Sequence, residues 1–84
     1  MTMITVYTTP NCVQCNQTKR YFDSKGVSYE TVDLTQDPQA MEMVKSMGYT
    51  SAPVVVAGED SWSGFRLPKL VETVERYSLD KASH

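Results

Sequence analysis

The sequence predicts one α/β domain in which a four-stranded mixed sheet is flanked by three helices, in the order β-α-β-α-β-β-α. Segments that alternate apolar and polar residues are followed by segments with helical spacing, twice in succession. This alternation favours crossover connections and a mostly parallel arrangement of the first three strands. An unbroken apolar run at residues 54–57 is typical of a central strand covered on both faces. A chain of 84 residues supports one core and no second domain.

The first half of the chain contains two predicted strands around one helix. Residues 3–7 alternate apolar and polar positions and predict the first strand. A helix follows over residues 13–25, with Gly26 at the position that commonly ends a helix. Its residue Val13 has the spacing of a partly buried position. Residues 27–34 alternate again and predict the second strand.

The second half begins with a strong helix-start signal. Asp37 is a suitable N-cap and Pro38 fits the first helical position, while Gly48 marks the end of this second helix. After the apolar run, a tight turn allows residues 61–63 to return as an antiparallel edge strand. Apolar residues at helical spacing then predict a last helix that ends near residue 77, where the domain core of about residues 3–77 also ends.

Composition excludes several classes of function. The net charge is -2 and no basic stripe is present, so we expect no nucleic-acid partner. No stretch approaches the roughly 18 apolar residues of a membrane span. The N-terminus lacks the pattern of a signal peptide, which favours a cytoplasmic, reducing location. Residues 78–84 are polar and are expected to form a frayed tail.

The pair Cys12 and Cys15 carries the clearest chemistry in the chain. The two cysteines lie three residues apart at the predicted start of the first helix, where a disulfide closes with little backbone movement. Free N–H groups and the helix dipole stabilise a thiolate at Cys12. Neither Val13 nor Gln14 adds a charge, although Gln14 offers a side-chain donor. We interpret the pair as a thiol-disulfide exchanger, with Cys12 as nucleophile and Cys15 as resolving thiol.

Two other interpretations of the cysteines remain open. A zinc site needs two more ligands, and the only further candidate apart from carboxylates is His84, so we expect no metal site within the chain. A purely structural disulfide closes too small a loop to stabilise the fold much.

Two further segments are candidate parts of the site. Pro53 precedes the apolar run and fits either a plain strand start or a cis bond that leaves the Ala52 backbone free to pair with an extended peptide. The second segment fits either a strand edge and turn with its phenylalanine in the core, or an apolar docking rim with a specificity charge. Its residues are Trp62, Ser63, Gly64, Phe65 and Arg66.

Taken together, these motifs resemble glutaredoxins of the thioredoxin superfamily. The sequence Cys-Val-Gln-Cys at residues 12–15 and the sequence Trp-Ser-Gly-Phe-Arg at residues 62–66 are similar to those of the NrdH-redoxin subfamily. The resemblance covers roughly residues 3–77. The subfamily usually has Pro directly after the signature Arg, whereas here Leu67 intervenes before Pro68. The resemblance therefore leaves open where the last helix begins and how Arg66 is held.

The resemblance implies a thioredoxin/glutaredoxin-like fold and an electron-transfer activity. Such proteins pass electrons from NADPH, through thioredoxin reductase, to the large subunit of class Ib ribonucleotide reductase. NADPH and FAD would belong to the reductase, and this chain would bind no organic cofactor and act as a monomer. Ala52 and Pro53 correspond to the cis-proline dipeptide.

The same resemblance implies that glutathione is not the reductant. Glutaredoxins usually hold the γ-glutamyl end of glutathione with acidic residues where residues 64–66 now carry an aromatic ring and a cation, which removes the partner of that ammonium group. Two rival functions remain open. They are a glutathione-dependent glutaredoxin and an iron–sulfur cluster carrier with cysteines from two chains.

Overall fold

The computed structural model describes residues 4–58 and 60–82, and for residues 77–82 it describes the backbone alone. The predicted element order is confirmed. Met3, where the sequence places the start of the first strand, lies outside the described residues. The elements are β1 (Ile4–Thr8), α1 (Val13–Ser24), β2 (Glu30–Asp33), α2 (Pro38–Ser46), β3 (Val54–Ala57), β4 (Asp60–Ser63) and α3 (Leu67–Ala82).

The four strands form one mixed sheet in the order β2-β1-β3-β4. Only β1 and β2 run parallel, and both β1–β3 and β3–β4 are antiparallel. The expectation of a mostly parallel arrangement was therefore wrong. A buried apolar run has the same pattern in either direction. The direction is set instead by the chain entering β3 where β1 ends, with Tyr7 opposite Val54.

The second strand is shorter than the predicted range of residues 27–34. It covers Glu30–Asp33, because only these four residues pair with a neighbouring strand, opposite residues 5–8 of β1. Val27 and Leu34 flank it and are 6% and 5% exposed. The apolar pattern of residues 27–34 therefore identified buried residues correctly but predicted a longer strand than the one that pairs with β1.

The sheet separates two hydrophobic cores, one on each face. Alternate strand residues point to opposite faces, so Val55 and Val54 belong to different cores. The larger core includes Ile4, Val6, Phe22, Val27, Val55, Ala57, Trp62, Leu70 and Val74. The smaller core consists of Leu34, Ala40, Val44 and Val54. Both central strands are thus covered on both faces, as the apolar run of β3 predicts.

The ends of the last two helices follow from local chemistry. Asp37 caps α2 by accepting the Ala40 N–H at 3.1 Å. The last helix begins at Leu67, with Pro68 in its first turn, where no N–H is required. It continues to Ala82, so residues 78–82, predicted as a tail, extend α3. None of the described helices combines the length and apolarity needed to cross a membrane.

Candidate functional site

Cys12 and Cys15 form a disulfide at the N-terminus of α1, with their Cα atoms 5.2 Å apart. Cys12 is the N-cap residue in extended backbone geometry. Its Sγ accepts the Cys15 N–H at 3.1 Å, which places the sulfur against one of the free amides of the first helical turn. The predicted position of the pair at a helix start is therefore observed.

The residues of the motif differ sharply in exposure. Cys15 is 1% exposed, whereas Cys12 is only partly buried. Val13 is 70% exposed, so the prediction that it is partly buried was wrong. The buried residues of α1 are Cys15, Thr18 and Phe22, and Val13 lies on the opposite face of the helix. A partner molecule therefore meets Cys12 and Val13 before it meets Cys15.

Asn11 is a site residue that sequence reasoning missed. Its φ angle is 59°, the left-handed conformation that asparagine adopts more readily than most residues. This conformation directs the chain into the N-cap geometry of Cys12. The available signal was an Asn immediately before the first helical residues, since Asn is enriched both in turns and in the left-handed region.

Pro53 lies beside the cysteine loop because β3 is antiparallel to β1. The start of β3 then falls at the end of β1, where the loop toward Cys12 begins. The Ala52–Pro53 peptide bond is cis, as the resemblance implies. The Pro53 carbonyl accepts the Gly64 N–H at 2.7 Å, which links this segment to the turn after β4.

Gln14 connects the cysteine motif to the same turn. Its Oε1 accepts the Phe65 N–H at 3.3 Å, a contact between residues 51 positions apart in the sequence. Sequence reasoning treated Gln14 as a donor near the sulfurs, and this contact shows its carbonyl end acting as an acceptor. The three sequence-predicted segments thus meet at one end of the sheet.

The segment after β4 divides between core and surface. Trp62 is 3% exposed and belongs to the larger core, so the expectation that its ring forms a docking rim was wrong. The alternation Ser-Trp-Ser places Trp62 on the buried face of β4. Its indole N–H makes no hydrogen bond within the described residues. Phe65 is partly buried and packs against the same core.

Arg66 remains at the surface despite the inserted Leu67. Its Nε donates to the Ser63 carbonyl at 3.2 Å, and its own carbonyl accepts the Leu70 N–H at 3.0 Å. Arg66 therefore precedes α3 as its cap residue. The insertion moves the proline one position into the helix without releasing Arg66, and it leaves Leu67 47% exposed.

The charged residues within residues 61–71 are both cations, Arg66 and Lys69. Residues 61–71 contain no Asp or Glu, and the first turn of α3 has no acidic residue. The carboxylates that flank this stretch are Asp60, which pairs with Lys69 at 3.5 Å, and Glu72, which pairs with Arg76 at 3.7 Å. Arg66 is exposed and makes no ion pair within the described residues, so its guanidinium can meet an anionic group of a partner and would repel an ammonium group.

An apolar cavity adjoins the Ala52–Pro53 segment. It has a volume of about 170 Å³ and opens between α2 and β3 beside Ala52. Its lining includes Leu34, Met41, Val44 and Val54, with Lys45 also present. This is enough space for one apolar side chain of an extended peptide.

Metal ligands do not gather at the site. Across residues 4–58 and 60–82, no group of three or more His, Cys, Asp or Glu side chains is placed to hold a metal ion. His84, the possible zinc ligand named from the sequence, lies outside these residues.

Comparisons with known proteins agree with this geometry. The glutaredoxin family model matches residues 4–62. The chain is 44% identical to the glutaredoxin-like protein NrdH of Escherichia coli K12 over 63 residues, which cover 75% of this chain and 78% of that protein. It is 31% identical to NrdH of Lactococcus lactis over 70 residues, which cover 83% of this chain and 97% of the relative.

A solved structure gives the same result. The structure of the E. coli NrdH-redoxin, described as a glutaredoxin-like protein with a thioredoxin-like activity profile, superposes with a TM-score of 0.81 at 40% identity. The match covers 83% of this chain and 92% of that one. The buckwheat glutaredoxin–glutathione complex, at 23% identity and a TM-score of 0.70, shares the fold. The chain therefore belongs to the glutaredoxin family of thiol-disulfide oxidoreductases, within the thioredoxin superfamily, and is a glutaredoxin-like protein of the NrdH-redoxin type.

Proposed function

We propose that this protein is a cytoplasmic electron donor that takes two electrons from thioredoxin reductase and delivers them to a disulfide of class Ib ribonucleotide reductase. The partners come from the resemblance to NrdH-redoxins. In this proposal NADPH and FAD belong to the reductase. The chain itself works as a monomer without an organic cofactor, through Cys12 and Cys15 alone.

The delivery reaction proceeds in two thiolate attacks. The Cys12 thiolate attacks one sulfur of the partner disulfide, forming a mixed disulfide and releasing a partner thiolate that takes up a proton. Cys15 then loses its proton, and its thiolate attacks the Sγ of Cys12. The mixed disulfide breaks and the second partner thiolate leaves. In sum, the protein dithiol becomes a disulfide, and the partner disulfide gains two electrons and two protons.

The unlike environments of the cysteines support these roles. Cys15 is 1% exposed and cannot meet a sulfur on another protein without local opening. Cys12 is partly exposed, and its Sγ already accepts the Cys15 N–H, a donor that would also stabilise the thiolate. The accessible and stabilised sulfur is therefore the one expected to attack first.

The observation that carries the choice of reductant is the cationic turn beside the disulfide. Gln14 ties this turn to the cysteine motif, and the turn presents Arg66 with no carboxylate between residues 61 and 71. The ammonium group of a γ-glutamyl moiety would find no anionic partner there. A protein reductase with an anionic or apolar surface fits the same turn.

The Ala52 backbone supports docking of an extended protein segment. Its N–H and its carbonyl make no hydrogen bond within the described residues. A partner strand could pair with these groups and place an apolar side chain in the adjacent cavity. This arrangement would align the partner cysteine with Cys12.

A comparison of reductants tests the proposal. The oxidised protein is offered NADPH with thioredoxin reductase, or NADPH with glutathione and glutathione reductase, and NADPH consumption is followed by its absorbance. We expect rapid reduction by thioredoxin reductase and slow reduction by the glutathione system. Faster reduction by glutathione would contradict the proposal and assign a glutathione-dependent role. Visible absorbance and dimerisation after anaerobic iron–sulfur reconstitution would instead favour a cluster carrier.

A further inference from the structure

Two adjacent backbone amides in the turn after β4 hold the other two segments of the site. The Gly64 N–H donates to the Pro53 carbonyl at 2.7 Å, and the Phe65 N–H donates to Gln14 Oε1 at 3.3 Å. The first bond reaches the segment before β3, and the second reaches the helix that carries the disulfide. Because the two amides are one residue apart, these two bonds together fix the turn relative to the sulfurs.

Gln14 is fixed to α1 through its backbone and contacts the turn through its side chain. Its backbone carbonyl accepts the Thr18 hydroxyl at 2.9 Å, and Thr18 is fully buried. Its side chain is exposed, so its contact with Phe65 is not imposed by core packing. The Phe65 N–H needs an acceptor, which orients the amide with its oxygen toward the turn.

We propose that Gln14 is a positioning residue that holds the 63–66 turn beside Cys12 and thereby determines how tightly a partner protein docks. This inference rests on the proposed function, because a protein partner must contact both the disulfide and the turn. A small disulfide contacts the sulfur alone and does not sense the turn. Gln14 therefore governs KM for protein partners and leaves the exchange step itself unchanged.

Three variants separate the hydrogen bond from other effects of substitution. Gln14→Met keeps the length of the side chain and removes the acceptor. Gln14→Glu keeps an acceptor oxygen at the same position. Gln17→Met is the matched control, since Gln17 is exposed on the same helix and makes no side-chain hydrogen bond within the described residues.

The readouts are KM and kcat with thioredoxin reductase, the rate of the reduced protein with the small disulfide DTNB, and amide hydrogen exchange at Phe65. For Gln14→Met we expect a KM raised roughly 3- to 10-fold, the effect of one net hydrogen bond, with similarly faster exchange at Phe65. The values of kcat and the DTNB rate should stay at the wild-type level. Gln14→Glu should restore slow exchange at Phe65, and Gln17→Met should match the wild type in all three readouts.

Three results would overturn the inference. Unchanged exchange at Phe65 in Gln14→Met would show that the bond does not protect this amide. Faster exchange with an unchanged KM would show that the turn does not affect docking. If Gln14→Met reacted more slowly with DTNB by the same factor as with the protein partner, the substitution would be acting on the reactivity of the Cys12 sulfur and not on docking.

If the proposed function is wrong, the wild-type protein itself fails with thioredoxin reductase, and this result differs from the three above. If thioredoxin reductase does not reduce the wild-type protein, the choice of reductant is wrong, and the comparison is then made with insulin as the protein disulfide. A higher KM of Gln14→Met for insulin, with an unchanged DTNB rate, still supports the positioning role. Equal KM values for the variant and the wild type reject it.

Discussion

Asn11 and Cys12 together set the direction in which the chain enters α1. The left-handed φ of Asn11 precedes the extended backbone of Cys12, whose Sγ then accepts the Cys15 N–H. The cysteine side chain thus takes the role that Ser, Thr or Asp usually takes at a helix start. Sulfur reactivity and helix capping are supplied by the same atom.

The hydroxyl of Tyr29 is held by a hydrogen bond that changes its acidity. Its hydroxyl donates to Asp23 Oδ1 at 2.9 Å and joins the segment before β2 to α1. Partial burial, followed by the Asp23 hydrogen bond and charge, raises the pKa of Tyr29 to about 12 from its ordinary value of 10.0. The folded protein therefore holds the phenol proton more tightly than the unfolded chain does.

This raised pKa predicts a loss of stability at alkaline pH. The contribution of Tyr29 is fully present below pH 10.0 and is lost as the pH rises toward about 12. Tyr29→Phe should lose about 1 kcal/mol of unfolding free energy at neutral pH and lack this alkaline component. Urea unfolding at neutral and alkaline pH measures both. An identical alkaline decline in Tyr29→Phe and wild type would assign it to other groups.

Among the connecting elements, the turn between β4 and α3 has the largest role in the site. Gly64 has a φ of 82° and donates its N–H to the Pro53 carbonyl, while Arg66 caps the start of α3. A side chain at Gly64 would meet only Gln14 Oε1, at an ordinary contact distance of 3.7 Å. The glycine is therefore required for its backbone conformation and not for space.

Gly64→Ala tests the contribution of this turn. Alanine in the left-handed region should cost about 1 kcal/mol of unfolding free energy and shift the amides that hold Pro53 and Gln14. Gly48→Ala is the matched control, because Gly48 has a φ of 91° and no neighbouring atom within 4 Å. Both variants should lose similar stability in urea. Only Gly64→Ala should raise KM for thioredoxin reductase. An unchanged KM in this variant would show that the conformation of the turn does not affect docking.

At the scale of the whole molecule, the site lies at the end of the sheet where β1 ends and β3 begins. The antiparallel pairing of β1 with β3 brings the loop toward Cys12 and the cis Pro53 to the same end. Two cores, one on each face, hold these central strands in place.

Local signals in the sequence predicted much of this arrangement. The apolar run of β3 indicated a central strand, Asp37 with Pro38 located the start of α2, and the cysteine spacing located the redox pair. Each of these signals depends on residues close together in the chain. Their physical causes, capping and side-chain periodicity, act over one or two turns.

Features that depend on distant residues could not be predicted in this way. Strand direction, the hydrogen bond from Phe65 to Gln14 and the burial of Trp62 all depend on which segments meet after folding. A lone tryptophan between two serines fits an exposed rim and a buried strand face equally well. Only the position of β4 beside β3 decides between them.

The most direct test of the central claim is to trap the mixed disulfide with the oxidised large subunit of class Ib ribonucleotide reductase. Reduced Cys15→Ser should form a stable one-to-one disulfide through Cys12, detected by intact mass after alkylation. Cys12→Ser, the matched control, should form none and should not turn over with NADPH and thioredoxin reductase. An adduct through Cys15, or turnover by Cys12→Ser, would contradict the assignment of Cys12 as the exchanging thiol.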